Sequence, residues 1–270
     1  FLKLAKITWE TKAAVLEKIM KYERVHEIKD MDELKRRLGE DRRFFSYFHP
    51  ALEDEPIIFV QVALTNGLGK SIQEITKPRS DGDQKYDSAT FYSISNCQEG
   101  LSRVTLGNFL IKRVVFEIQE ELPNIKHFGT LSPIPGFRDW FSYLDDVKIK
   151  NILGEVPIDN ISFLKSSDLK VGDPRIVANK VAITKLVAHY LMNEKNHKQL
   201  PINDVCRFHL GNGAIIDDII INANVSEVGL NRSFGVMVNY LYELKNIEKN
   251  HEEYINNKTI IISDKLKKII

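Results

Sequence analysis

Apolar residues recur along this chain in two rhythms, and the alternation between them predicts the architecture. From residue 11 to residue 39 the rhythm is helical. Val15, Leu16, Ile19 and Met20 fall on one face of a first helix, for which Thr11 is the candidate cap. Asp30 followed three residues later by Glu33 has the form of a capping box for a second helix, and Gly39 supplies a stop after Leu38. Then the rhythm changes. Ile57-Ile-Phe-Val-Gln-Val-Ala-Leu64 is a run of strand length, broken only by Gln61. Asn66 to Gly69 reads as a turn, and Lys77 to Tyr86, rich in Pro, Gly, Ser, Asp and Lys, as an exposed loop. Ala89 to Ser95 predicts another strand. After a glycine-bearing loop, Leu110, Ile111, Val114, Val115 and Ile118 stand at helical spacing.

Phe128 to Leu131 is short and strand-like and runs into Ser132-Pro-Ile-Pro-Gly-Phe137. Asp173-Pro174 pairs a capping residue with a first-turn proline and opens a helix through Val177, Val181, Leu186 and Leu191. From Ile215 to Tyr242 strand-like runs mix with glycines. The Lys/Asn-rich end after Asn246 reads as a solvated helix and strand. Strands alternating with helices predict an α+β (α/β-like) domain built on a mixed sheet.

Composition narrows the function classes. The chain has 270 residues, enough for one large domain or two modest ones. With 43% hydrophobic and 28% charged residues it has the make-up of an ordinary globular protein. A formal net charge of +1 removes any bulk attraction to nucleic acid or to an anionic membrane. Only local patches remain. Arg36, Arg37, Arg42 and Arg43 read as a solvated basic face, with an anionic ligand or partner as the alternative. Two cysteines, Cys97 and Cys206, exclude a disulfide framework and suit a reducing compartment. No apolar run approaches the roughly 18 residues needed to cross a bilayer, and no secretory signal opens the chain. It begins with Phe1 and is read as a fragment, so targeting signals of a parent protein stay open.

Several motifs invite chemistry. Gly69-Lys70-Ser71 has the ending of a P-loop, but Leu64 stands where that motif needs its first glycine, so a phosphate nest is not expected. Gly211-Asn212-Gly213 lacks the third glycine of a dinucleotide fingerprint and reads as a turn. Cys206 and His209 have metal-like spacing without partners elsewhere, and zinc needs three or four ligands. No metal site is expected. Ser132 lies outside any Gly-x-Ser-x-Gly elbow. His209 is the one histidine of seven inside an otherwise apolar stretch, where a satisfied core histidine is the usual meaning. The loop from Gln98 to Asn108 is more suggestive. It joins a strand to the start of a helix, where unpaired backbone N–H groups and the helix dipole favour an anion such as a pyrophosphate. Gly100 and Gly107 would allow close approach, and Arg103 would add charge; an ordinary capped loop is the equal alternative.

Taken together, these blocks resemble the malonyl-CoA decarboxylase family. The matching stretches are Arg42 to Pro50, Glu55 to Thr65 and Phe91 to Val115, with Leu131-Ser-Pro-Ile-Pro-Gly-Phe137, Arg207-Phe-His-Leu-Gly-Asn-Gly-Ala214 and Met237-Val-Asn-Tyr-Leu-Tyr242. The similarity runs in family order from about Leu4 to Tyr242. It implies a GNAT-like catalytic domain over residues 46–270, a mixed central sheet flanked by helices, entered through short N-terminal helices over residues 1–45. It places CoA binding on Gln98, Gly100, Ser102, Arg103, Val104, Thr105, Leu106, Gly107 and Asn108. It assigns Ser132 as proton acceptor and His209 as proton donor.

The implied reaction converts malonyl-CoA to acetyl-CoA and CO2 with no cofactor and no metal. The implied partners are those CoA esters, with no nucleic acid and no membrane. A missing N-terminal helical domain would form a homo-oligomer. The expected compartment is the cytoplasm, with mitochondria or peroxisomes as the alternatives for a eukaryotic source. Two departures stand out. The family's Asn-Trp pair and acidic residue are absent from Ile219 to Ser226, and residues 141–171 are shorter than in some relatives. They keep two rivals in view: a GNAT-type acyltransferase and a catalytically inactive acyl-CoA-binding domain.

Overall fold

The computed structural model describes residues 2–77, 85–98 and 107–270, apart from the side chains of residues 107–109. The chain divides into two compact units, residues 1–69 with 74–130, and residues 70–73 with 131–270.

The first unit is built on a sheet of five strands. β1 (Lys3–Lys6), β2 (Arg42–His49), β3 (Leu52–Thr65) and β4 (Ser88–Asn96) pair antiparallel in that order, and β5 (His127–Thr130) joins β4 in parallel. Every residue from Ile57 to Leu64 is buried, which is why that run shows no polar alternation. α1 (Ala13–Tyr22) and α2 (Met31–Arg37) precede β2, and α3 (Ile72–Thr76) follows β3. α4 (Gly107–Glu121) buries the predicted stripe of Leu110, Ile111, Val114, Val115 and Ile118.

Gln61 interrupts that apolar run because it serves a buried carboxylate. Its amide nitrogen donates to Glu23, and its carbonyl accepts from the Tyr92 hydroxyl at 2.9 Å. Glu23, just past α1, also accepts from Ser93 Oγ at 2.6 Å and from the backbone N–H groups of Val25 and His26. Buried polar oxygens are costly unless donors of this kind surround them. The same segment is held from its other side, where Arg37 donates to the carbonyls of His26 and Glu27 at 2.7 and 2.8 Å.

Three expectations for this unit are corrected. Of the four arginines only Arg36 is exposed, so they do not form a solvated basic face. Arg37 and Arg42 are buried and committed to Glu33, Asp41 and main-chain carbonyls, while Arg43 pairs with Glu121 at 2.6 Å. Thr11 does not cap α1: Lys12 holds that place without a side-chain bond, and Thr11 Oγ1 accepts from the Thr8 N–H. Two helices are not the whole opening either, because β1, too short to carry an apolar pattern, precedes them. The Asp30 cap of α2 is found, accepting from the Glu33 N–H at 2.7 Å.

In the second unit α5 (Phe137–Ser142), α6 (Asp146–Leu153) and a 3-10 helix (Ile158–Lys165) lead to α7 (Pro174–Ala178) and α8 (Lys180–Met192). Asp173 caps α7 as expected. The single helix expected onward from Pro174 is broken at Asn179, so Val177 and Val181 are exposed rather than core. α9 (Asp204–Gly211) is followed by β7 (Ile215–Ile220), α10 (Glu227–Ser233), β8 (Met237–Leu241), α11 (Ile247–Asn257) and α12 (Asp264–Lys267). β8 runs antiparallel to β7 on one side and to the two-residue β6 (Ser132–Pro133) on the other. Among the described residues no helix is long and apolar enough to cross a membrane.

The turn read at Gly211-Asn212-Gly213 is the C-terminal cap of α9. Gly213 is left-handed at φ +81°, its N–H bonds the Leu210 carbonyl, and the Ala214 N–H bonds the His209 carbonyl at 3.1 Å. That is the Schellman pattern, which satisfies carbonyls the helix leaves open. A Cβ on Gly213 would lie 2.2 Å from the Ile247 carbonyl oxygen, whereas one on Gly172, also left-handed, meets nothing within 4 Å. Gly213→Ala therefore costs at least about 2 kcal/mol in urea unfolding, through strain plus a backbone clash. Gly172→Ala costs about 1 kcal/mol, strain alone. Equal losses in the two variants would contradict this account of the cap.

Candidate active site

Cross-strand partners in a sheet present their side chains to the same face. Ser132 stands opposite Val238, so it shares a face with Val238, Tyr240 and, one residue past the strand, Tyr242. Against that face α9 lays His209. The imidazole stacks on the Tyr240 ring with centroids 4.5 Å apart and planes 25° from parallel. Its Nε2 lies 3.0 Å from Ser132 Oγ, and its Nδ1 lies 2.8 Å from the Tyr242 hydroxyl. Ser132 is 6% exposed and His209 3%.

Burial determines the charge state. Without a nearby anion to repay desolvation, the imidazole is held neutral, its pKa pushed down to about 3. A neutral ring has one donor and one acceptor nitrogen. The Tyr242 phenol is buried, its pKa raised by the same desolvation, and among the described residues its one hydrogen bond is to Nδ1. A phenol with that one bond donates its proton, so the hydrogen-bond pattern assigns the ring proton to Nε2, directed at Ser132 Oγ. The arrangement is a neutral hydrogen-bond donor beside a hydroxyl acceptor. A serine nucleophile activated by a histidine base needs the opposite tautomer.

The turn that carries Ser132 is stiff. Gly136 is left-handed at φ +80°, and Pro135 offers its carbonyl to the Tyr190 hydroxyl at 3.0 Å. Phe137, fully buried, packs in a cluster with Trp140, Tyr190 and Phe234.

The two expected catalytic positions, 77 residues apart in sequence, are thus brought into contact. Gln98 is described, and its amide is committed to Glu55 at 3.1 Å and to the Pro56 carbonyl at 3.3 Å. Gly100, Ser102, Arg103, Val104, Thr105 and Leu106 lie outside the described residues, as does most of the Lys77 to Tyr86 loop. Gly107 and Asn108 open α4, following a strand that ends at Asn96. Among the described residues no three His, Cys, Asp or Glu side chains converge as metal ligands. Cys206 sits buried on α9 with its thiol pushed up to about 12 by desolvation, a packing role rather than a ligand's.

Sequence reasoning missed Tyr240 and Tyr242 as site residues. The available signal was the period of two, which aims 238, 240 and 242 at one face. The divergent stretch also acquires a physical role. Asn224, 6% exposed, accepts from Ser226 Oγ at 2.7 Å and from Gln73 Nε2 at 3.1 Å, and so organises the loop between β7 and α10.

The whole chain, residues 1–270, matches the family model for the malonyl-CoA decarboxylase C-terminal domain. Mitochondrial malonyl-CoA decarboxylases of Anser anser anser and Rattus norvegicus are each 36% identical, across 98% and 100% of this chain. The chain spans 57% and 59% of their lengths. The crystal structure of malonyl-CoA decarboxylase from Agrobacterium vitis superposes with a TM-score of 0.88 at 40% identity, covering 100% of this chain and 67% of that one. The one from Rhodopseudomonas palustris gives 0.85 at 39%, covering 99% and 66%. At 12% identity the loading GNATL domain of CurA from Lyngbya majuscula, with a TM-score of 0.57 over 92% of this chain and 99% of that one, shares the fold alone. The expected GNAT-like mixed sheet with flanking helices is borne out.

The neutral imidazole has a thermodynamic signature. His209 binds its proton at about pH 3 when folded and near pH 6.5 when unfolded. Between those values the unfolded chain holds more protons, so this residue's contribution falls as pH drops below about 6.5 and is constant above it. In urea unfolding at pH 7.5 and pH 5, the wild type loses about 2 kcal/mol more than His209→Gln. Equal losses would show that the folded chain protonates His209 as readily as the unfolded one.

Proposed function

Because the chain belongs to the malonyl-CoA decarboxylase family, we propose that it removes CO2 from malonyl-CoA to leave acetyl-CoA, with Ser132 and His209 as its chemical pair. The observation that carries this reading is the buried contact between those two side chains, with Tyr242 completing the imidazole's hydrogen bonds.

Malonyl-CoA contains its own electron sink. When the C–C bond to the carboxylate breaks, the electron pair moves onto the thioester as an enolate, and CO2 leaves. A proton then goes to carbon to give the acetyl group. The protein's tasks are to stabilise the enolate oxygen, to turn the carboxylate out of the thioester plane and to deliver the proton. No biotin, pyridoxal phosphate or metal is needed in this scheme. His209, neutral with its proton on Nε2, suits the first task once the substrate's thioester oxygen takes the place of Ser132 Oγ as its acceptor. A fixed donor aimed at a developing oxyanion is worth roughly 3–4 kcal/mol. Ser132, which keeps its own hydroxyl proton to donate, engages the substrate carboxylate or relays the proton. General acid catalysis of that kind contributes about 10²- to 10⁴-fold.

The proposal assigns the CoA moiety to Gln98, Gly100 and Ser102 to Asn108. Support comes from the family position and from the start of α4, whose first N–H groups lack helical partners. The full-length protein, on the same reading, assembles as a homo-oligomer through an N-terminal helical domain.

Purified chain incubated with malonyl-CoA is expected to yield acetyl-CoA and CO2 by mass spectrometry, with a loss of at least about a hundredfold in His209→Ala. Malonyl-CoA bound but left intact would replace the decarboxylase with an acyl-CoA-binding domain. Product formed only with an amine acceptor would replace it with an acyltransferase.

A further inference from the structure

Resting on the decarboxylase reading, we infer that Asn203 is a positioning residue whose single carboxamide sets the distance between Ser132 and His209. Asn203 is the N-cap of α9, the helix that carries His209. Its Oδ1 accepts from the Cys206 N–H at 2.8 Å, and its Nδ2 donates to the Pro135 carbonyl at 2.9 Å. Pro135 lies three residues beyond Ser132 in the same stiff turn. One side chain, 2% exposed, therefore holds the start of the histidine's helix and the serine's turn together.

A capping role alone does not require asparagine, since serine, threonine, aspartate and asparagine all cap well. Only asparagine among them combines a cap acceptor with an amide donor for a carbonyl. Nor is the second bond needed to keep a buried carbonyl satisfied, because the Tyr190 hydroxyl already donates to Pro135. What the bond adds is geometry. His209 sits six residues after Asn203, about 9 Å along a two-turn helix, so a shift or tilt at the cap is carried to Nε2. The contact of 3.0 Å between Nε2 and Ser132 Oγ tolerates about 0.5 Å before the hydrogen bond is lost.

Asn203→Ser keeps the cap and deletes the donor. Asn203→Asp keeps the cap and sets an oxygen against the Pro135 carbonyl. The control is Asp145→Ser, a like replacement at the cap of α6. Malonyl-CoA turnover, urea unfolding and the imidazole protons of selectively 15N-histidine-labelled protein are compared. In both Asn203 variants kcat falls about 10- to 100-fold with KM within twofold, the effect expected of a misplaced group. In Asn203→Ser the unfolding midpoint moves no more than in the control, and the His209 Nε2 proton exchanges with water at least tenfold faster. On a His209→Ala background Asn203→Ser changes the residual rate less than twofold. An unchanged kcat, or a loss repeated in full on that background, would overturn the inference and leave Asn203 an ordinary cap. If wild type fails to consume malonyl-CoA, the decarboxylase reading fails, and the exchange of the His209 proton alone decides Asn203's role: faster supports it, unchanged overturns it.

Discussion

An imidazole removed from water must surrender its charge and find partners for both nitrogens, and at His209 these two demands shape everything nearby. The donor to Nδ1 comes from Tyr242 and the acceptor for Nε2 from Ser132, so the ring proton has one place to be. Residues far apart in sequence are recruited to hold the ring. β8 supplies Tyr240 as a stacking floor and Tyr242 as a donor, while the cap at Gly213 ends α9 one turn past His209. Removing the Tyr242 or the Ser132 hydroxyl would leave a buried ring nitrogen unpaired, a loss of about 1–3 kcal/mol.

The first unit solves the opposite problem by related means. Glu23 is a buried carboxyl group that accepts from two serine hydroxyls, a glutamine amide and two backbone N–H groups. A network of this kind fixes the segment after α1 because each donor fits one geometry only. Arg37 and Arg42 are spent on main-chain carbonyls and local acids, which removes them from any role as an anion-binding face.

Much of this was legible in the sequence because hydrophobic burial has a period. The helix over Leu110 to Ile118 and the strand through Ile57 to Leu64 follow directly from spacing, and the Asp30 and Asp173 caps follow from residue chemistry. Less was legible where tertiary partners decide. β1 is four residues long and is a strand only because β2 lies beside it. The break at Asn179 depends on its side chain bonding the Arg175 carbonyl, a contact that no periodicity announces. Ser132 and His209 could be singled out only through the family resemblance, since neither lies in a local motif that dictates chemistry. Their contact is a product of strand register and helix placement, as is the part taken by Tyr242.

Whether Ser132 and His209 act as one unit is the claim on which the proposed chemistry turns. Its most direct test is a double-mutant cycle on malonyl-CoA decarboxylation, using Ser132→Ala, His209→Ala and the two combined. If the pair works through its shared hydrogen bond, the double variant is at most a few-fold slower than the worse single one. Losses that multiply in the double variant would mean that the two residues act independently and that their contact is structural.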